Sequence, residues 1–228
     1  MSWKHESRRI GAILWKDFTS ERRTKANFNA VLFMAVLTLI LFGFALGPET
    51  QGLRDAAGGV MWLTILFSGV LAFNRSYEQE LEGGSMDSLL LYPGQRRSIF
   101  VGKVIANLAF VLLVEVVLVP LATILYDLPM WRVAGQLAGV LILGTIGFVT
   151  LGTFYAAMAS RIRAREVMLP LLLFPMLIPL LVGAVEATTA MLAGDVMGDS
   201  RVWVRLMVIF DAIFIVICLW AFDFVIEE

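Results

Sequence analysis

Glu115 and Asp211 are the two residues best placed to do chemistry, because each stands alone in an apolar run. Residues 104–126 carry no other Asp, Glu, Lys or Arg than Glu115, and residues 206–222 none but Asp211. A charge near the centre of a hydrocarbon layer costs a few kcal/mol on insertion scales, so such a group must be paired, neutral or facing a cavity. Two roles stay open for both acids. One is a proton relay or substrate-path residue, and the other is a neutral acid hydrogen-bonded between helices or across a dimer interface. Asp223 stands near the end of its run and reaches the headgroups, so it needs no such account.

A second constellation lies in a polar connection, Glu80-Leu-Glu82-Gly83-Gly84-Ser85-Met86-Asp87-Ser88-Leu89-Leu90-Leu91-Tyr92-Pro93-Gly94-Gln95-Arg96. Gly83-Gly84 ends a helix, Ser85 can cap a new turn with Asp87 near its positive end, and Pro93-Gly94 stops that turn. The spacing predicts a short helix over about 85–92 with Met86, Leu89 and Leu90 at i, i+3 and i+4. An apolar stripe flanked by acids wants a partner groove.

The elements that carry these residues are membrane spans. The chain of 228 residues is 59% hydrophobic and 16% charged, with a mean hydropathy of +0.83, too apolar for a soluble domain. About 20 helical residues cross a hydrocarbon core of roughly 30 Å. Six such segments are predicted, at about 28–46, 57–74, 100–126, 133–159, 167–186 and 203–224, forming one transmembrane domain over 1–228. Pro170, Pro175 and Pro179 predict that the fifth is broken, with a short re-entrant or outer helix between 187 and 200.

Threading those spans puts fourteen of the eighteen Lys and Arg residues on one side, from Lys4 to Lys25, Arg75 to Lys103 and Arg161 to Arg165, and leaves Arg54, Arg132, Arg201 and Arg205 on the other. The positive-inside rule then places both termini in the cytoplasm. Trp3, Ile10, Leu14 and Phe18 share a helical face opposite Arg8, Arg9, Lys16 and Arg23. That pattern fits a helix over 1–25 lying in the membrane interface, or equally a basic anchor that only sets topology. No signal peptide is expected, since these residues hold no apolar core.

The string from Glu82 to Pro93, followed by Arg96 and by Gly102-Lys103, resembles the coupling-loop pattern of ABC-2-type transporter membrane subunits. Gly47-Pro48-Glu49, Gly59-Val60-Met61-Trp62 and the run from Leu169-Pro170 to Ile178-Pro179-Leu180 are similar, more narrowly, to the haem exporter protein B family of cytochrome c maturation. The resemblance covers nearly the whole chain. It implies an all-α inner-membrane permease, homodimeric, in which Glu80, Glu82, Gly83, Gly84, Met86, Asp87, Leu89, Leu90, Pro93 and Arg96 couple to a separate ATP-binding subunit. It also implies a role in haem delivery, with ATP hydrolysis serving either haem export or release of the haem-loaded chaperone, and as partners the haem-handling protein C, the small membrane protein D and the haem chaperone E. Two other classes stand beside it: a general exporter permease for lipid, drug or polysaccharide, and an ATP-independent proton-coupled carrier using Glu115 and Asp211.

Other chemistry is excluded on spacing. Gly102-Lys103 lacks the upstream Gly of a phosphate loop, because position 97 is Arg, and Val104 replaces its Ser or Thr. The chain is therefore not expected to hydrolyse ATP by itself. Cys218 is the sole cysteine, which rules out a disulfide framework. His5 is the sole histidine, and the methionines are ordinary apolar filler, so no stably bound haem, metal or other cofactor is expected in this chain. His5-Glu6 has Arg9 where a zinc-protease motif needs His. Gly194-Asp195 and Gly198-Asp199 lack the first Gly of an intramembrane protease motif and read as turns. No basic and aromatic patch suits nucleic acid.

Overall fold

The structure, a computed structural model, describes residues 11, 26–47, 51–82, 96–159, 165–195 and 198–225. Six long α-helices account for most of them: α1 (Ala26–Leu46), α2 (Gln51–Glu82), α3 (Arg96–Leu125), α4 (Ala134–Ala159), α5 (Arg165–Leu192) and α6 (Ser200–Val225). A single 3-10 turn, Met130–Val133, precedes α4. All six are long and apolar enough to cross a membrane, so the chain is a multi-pass membrane protein. The interfacial helix expected over 1–25 lies outside the described residues apart from the helical Gly11, and so does the coupling helix expected over 85–92.

Two helices make the centre. In the apolar windows of α2 and α4, 72% and 67% of residues are buried, against 22–33% in the other four. Close approach is what allows this, and it rests on glycine. The Trp62 ring occupies the space a Cβ on Gly144 would take, Phe148 fills the corresponding space at Gly69, and Phe73 fills it at Gly152. Rings from each helix thus seat over glycines of the other along a parallel seam, with Phe73 and Phe148 in contact at 5.1 Å between centroids. Small residues at the interface are what drive helix association in lipid, where no hydrophobic force acts between helices. Outward faces, such as Phe33, Leu41 and Phe44 on α1 and Ile209, Val216 and Trp220 on α6, are exposed and apolar, as a lipid solvent requires.

That seam gives a direct test. A methyl at Gly144 must displace the Trp62 ring, which is 2% exposed and tied through Nε1 to Thr188 Oγ1 at 3.0 Å. Overpacking of this kind typically costs about 1–3 kcal/mol. Gly144→Ala is expected to lower the melting temperature in detergent, whereas Gly139→Ala, where an added Cβ meets nothing within 4 Å, leaves it unchanged or raises it. Equal melting of the two variants would contradict the seam.

The fifth span differs from expectation. Helix α5 runs unbroken through Pro170, Pro175 and Pro179, and α-helix continues to Leu192, so no separate helix follows among the described residues of 187–199. The reason is where the prolines stand. The packed stripe of α5 is Leu169, Leu173, Leu177, Leu180, Ala184 and Ala187, all essentially buried, while Pro175 and Pro179 lie on the exposed face. Each proline removes one backbone donor, and a span held by neighbours on both sides tolerates that loss. What stops α5 is a glycine. Gly194 takes φ +98°, a left-handed conformation that suits glycine, Asp195 N–H bonds back to the Ala190 carbonyl at 2.9 Å, and Gly194 N–H bonds to that of Met191 at 3.2 Å. This is a Schellman-type end, and Gly194-Asp195 is a turn, as its sequence predicts.

Helix α2, at 32 residues, is about 48 Å long at 1.5 Å per residue, well beyond the roughly 30 Å of hydrocarbon it must cross. Its apolar window ends at Arg75, so the last two turns, which include Glu80 and Glu82, continue past the membrane as helix. Glu80 and Glu82 therefore stand on the helical lead into residues 83–95, and Arg96 opens α3 on the far side of that stretch of sequence.

Candidate functional site

Both intramembrane acids are buried, Glu115 at 3% exposure and Asp211 at 5%. They flank one helix. Thr145 of α4 donates its hydroxyl to Glu115 Oε1 at 2.5 Å. Two residues on, Gly147 lies directly against Asp211 Oδ1 and the Leu180 side chain, so that any Cβ there would overlap the carboxyl. Residues two apart on a helix differ by about 3 Å along its axis and about 200° around it. Glu115 from α3 and Asp211 from α6 thus approach α4 at one depth, near its middle, from opposite faces.

Their surroundings differ. Glu115 has the interhelical hydroxyl partner that a scaffolding acid needs. Neither carboxyl oxygen of Asp211 has a hydrogen-bond partner among the described residues, and it is the absence of a side chain at Gly147 that gives it room. The two acids are not brought together: α4 separates them.

Further polar links cross the bundle. Asn107 of α3 donates to Thr153 Oγ1 of α4 at 2.9 Å, and Tyr126 donates to the Leu39 carbonyl of α1 at 2.6 Å. Near the start of α2 and just past the end of α3, Arg54 and Asp127 pair at 2.7 Å across exposed side chains, a geometry worth at most about 1 kcal/mol. Asp195 accepts from the Ser200 backbone N–H at 3.2 Å and from its hydroxyl, which caps α6. Those bonds hold its carboxyl below the usual carboxylate range.

Of the residues singled out by sequence for coupling, Gly83, Gly84, Met86, Asp87, Leu89, Leu90 and Pro93 lie outside the described residues. Sequence reasoning missed Thr145, Gly147 and Ser68, the last a fully buried hydroxyl on α2. It counted Lys103 among the cytoplasmic basic residues and in the coupling-loop resemblance but did not expect its burial, 3% exposed within α3. A signal for the first two was present. The α4 stretch Gly144-Thr145-Ile-Gly147-Phe-Val-Thr150-Leu-Gly152-Thr153 repeats small and hydroxylated residues at every helical turn, the composition of a close-packed, hydrogen-bonded interface in lipid.

A profile of the CcmB protein family matches residues 8–227. The chain is similar to Heme exporter protein B of Rhodobacter capsulatus, with 31% identity over 201 residues, 80% of this chain and 89% of that protein. Heme exporter protein B of Pseudomonas aeruginosa shares 30% identity over 182 residues, 80% of this chain and 81% of its own. That of Paracoccus denitrificans shares 31% over 189 residues, 80% and 84%.

Proposed function

The chain belongs to the CcmB protein family, and from that premise we propose that it is the membrane subunit of an ABC-type complex delivering haem for cytochrome c maturation. The observation that carries the reading is the likeness, along four fifths of the chain, to three proteins named Heme exporter protein B. A separate ATPase supplies the hydrolysis, because the sequence has no phosphate loop. The segment 83–95 receives that subunit's movement, and the two-turn helical extension of α2 transmits it into the most buried helix of the bundle. Export of haem and release of a haem-loaded chaperone are the two outputs that coupling can serve. The working unit is a homodimer with the ATPase, the haem-handling protein C, the small membrane protein D and the haem chaperone E.

Deleting the gene is expected to abolish covalent haem attachment to c-type cytochromes while their apoproteins are still exported. Intact holocytochrome c with loss of a lipid or glycan from the cell surface would instead favour a general exporter.

The reading places the protein in the bacterial inner membrane with both termini cytoplasmic, supported by the distribution of Lys and Arg. In a Cys218→Ser background, a single cysteine at Asp199, which is exposed, is expected to react with an impermeant reagent added outside, and one at the exposed Arg97 is not. Position 98 is unsuitable for this test because Ser98 is buried. Outside labelling at 97 would invert the topology.

A further inference from the structure

A pocket lies between α1, α2 and α3 at the depth of Glu115, walled by Val31, Ile65, Phe110 and Val114 and carrying only two polar side chains, Ser68 and Glu115. It is far too small for a porphyrin. Ser68 is 2% exposed, and its hydroxyl has no hydrogen-bond partner among the described residues. That is unusual for this protein. Thr38, Thr64, Thr123, Thr150 and Thr188 each donate to the carbonyl one turn back, at 2.7–2.8 Å. Ser68 sits in the same kind of helix, four residues after Thr64, and forgoes that bond. Ser68 lines a pocket whose other polar side chain is the Glu115 carboxyl.

From this geometry we infer that the pocket is a binding site for a single water molecule bridging Ser68 Oγ and the Glu115 carboxyl. The occupant must accept a hydrogen bond from a hydroxyl and also bond a carboxyl group in either protonation state. Water does both. A bare metal cation accepts nothing from a hydroxyl proton and needs more oxygen ligands than the two side chains here. A lipid acyl chain satisfies neither group, and an unsatisfied polar group in hydrocarbon costs several kcal/mol. The pocket has room for about one water, and buried waters of this kind complete otherwise unsatisfied polar groups.

Glu115 thereby has two partners on different helices, the Thr145 hydroxyl on α4 and the water held by Ser68 on α2, and the water is the group through which its proton exchanges. This inference is independent of the cargo. It makes Ser68 a positioning residue for Glu115.

The test uses the protein purified with its partners in lipid nanodiscs and imaged at a resolution where buried waters are visible. A compact density peak within hydrogen-bond distance of both Ser68 Oγ and the Glu115 carboxyl is expected, absent in Ser68→Val, whose side chain fills the pocket. No peak where other buried waters are seen, an elongated acyl-shaped density, or a Ser68 hydroxyl turned back to the Thr64 carbonyl would each overturn the inference. Melting of Ser68→Ala supplies a second readout, since deleting an unsatisfied buried hydroxyl stabilises a protein and deleting a bonded one destabilises it. A fall in melting temperature is expected, and a rise overturns the water site. Infrared spectroscopy of the Glu115 carboxyl, assigned by its loss in Glu115→Gln, is expected to show slower exchange into heavy water in Ser68→Val than in wild type. An unchanged rate would contradict the role given to the water.

Discussion

Changing Leu89 and Leu90 together to Asp is expected to strip the ATPase from the purified complex, lowering its recovery by more than tenfold while the six spans stay folded. Burying one Leu side chain is worth roughly 1.5–3 kcal/mol, and every 1.4 kcal/mol is about tenfold in affinity. Two aspartates forfeit that burial twice, and they add like charge beside Asp87 and Glu82. The change falls between the end of α2 at Glu82 and the start of α3 at Arg96, whereas the α2–α4 seam is built from Trp62, Gly69, Phe73, Gly144, Phe148 and Gly152. Melting of the isolated subunit should therefore match wild type. A stoichiometric ATPase in the pull-down of the double variant would remove the docking role from this segment.

The second large effect separates the two roles of the intramembrane acids. Glu115→Gln keeps an oxygen that can accept from Thr145 and is expected to retain complex assembly and most cytochrome c production. Glu115→Leu takes away that acceptor and the polar wall of the pocket, and assembly is expected to fall. An interhelical hydrogen bond in lipid averages only about 0.6 kcal/mol, so the deficit in Glu115→Leu comes mainly from polar groups left without partners. Asp211→Asn is nearly the same size, fits beside Gly147, and is also expected to assemble. An amide cannot cycle a proton. Intact assembly with lost activity in either Glu115→Gln or Asp211→Asn, measured as covalent haem in c-type cytochromes, would move that acid from scaffold to proton relay.

The spans were legible because length and absence of charge are one-dimensional properties, and lipid enforces both. Their pairing was not. Helix α4 has no charged residue to mark an outward face, and its small and hydroxylated residues mark a packed interface without revealing that Thr145 turns to α3 and Gly147 to α6. The Glu115–Thr145 bond joins residues 30 apart in sequence and depends on the rotation of two helices, which periodicity leaves free. Asp211 shows the same limit from the other side: its place in an apolar run announced burial, but only the packed bundle shows that it rests on a glycine without a partner among the described residues. Pro170, Pro175 and Pro179 misled because proline is judged by its local effect, whereas in α5 the proline-free stripe of leucines is what packs, and neighbouring helices hold the backbone on either side. Gly194 was the stop signal all along, readable from the Gly-Asp turn that follows the last apolar residues.

Coupling an outside motor to this bundle is the centre of the account, and affinity purification in mild detergent, followed by identification of the bound proteins, tests it most directly. The expected result is an ATPase subunit together with a haem chaperone, with ATP hydrolysis by the complex that Leu89→Asp, Leu90→Asp abolishes. A chain that purifies without any ATPase, yet still supports covalent haem attachment when its acids are intact and loses it in Glu115→Gln, would contradict the account and leave a proton-driven carrier in its place.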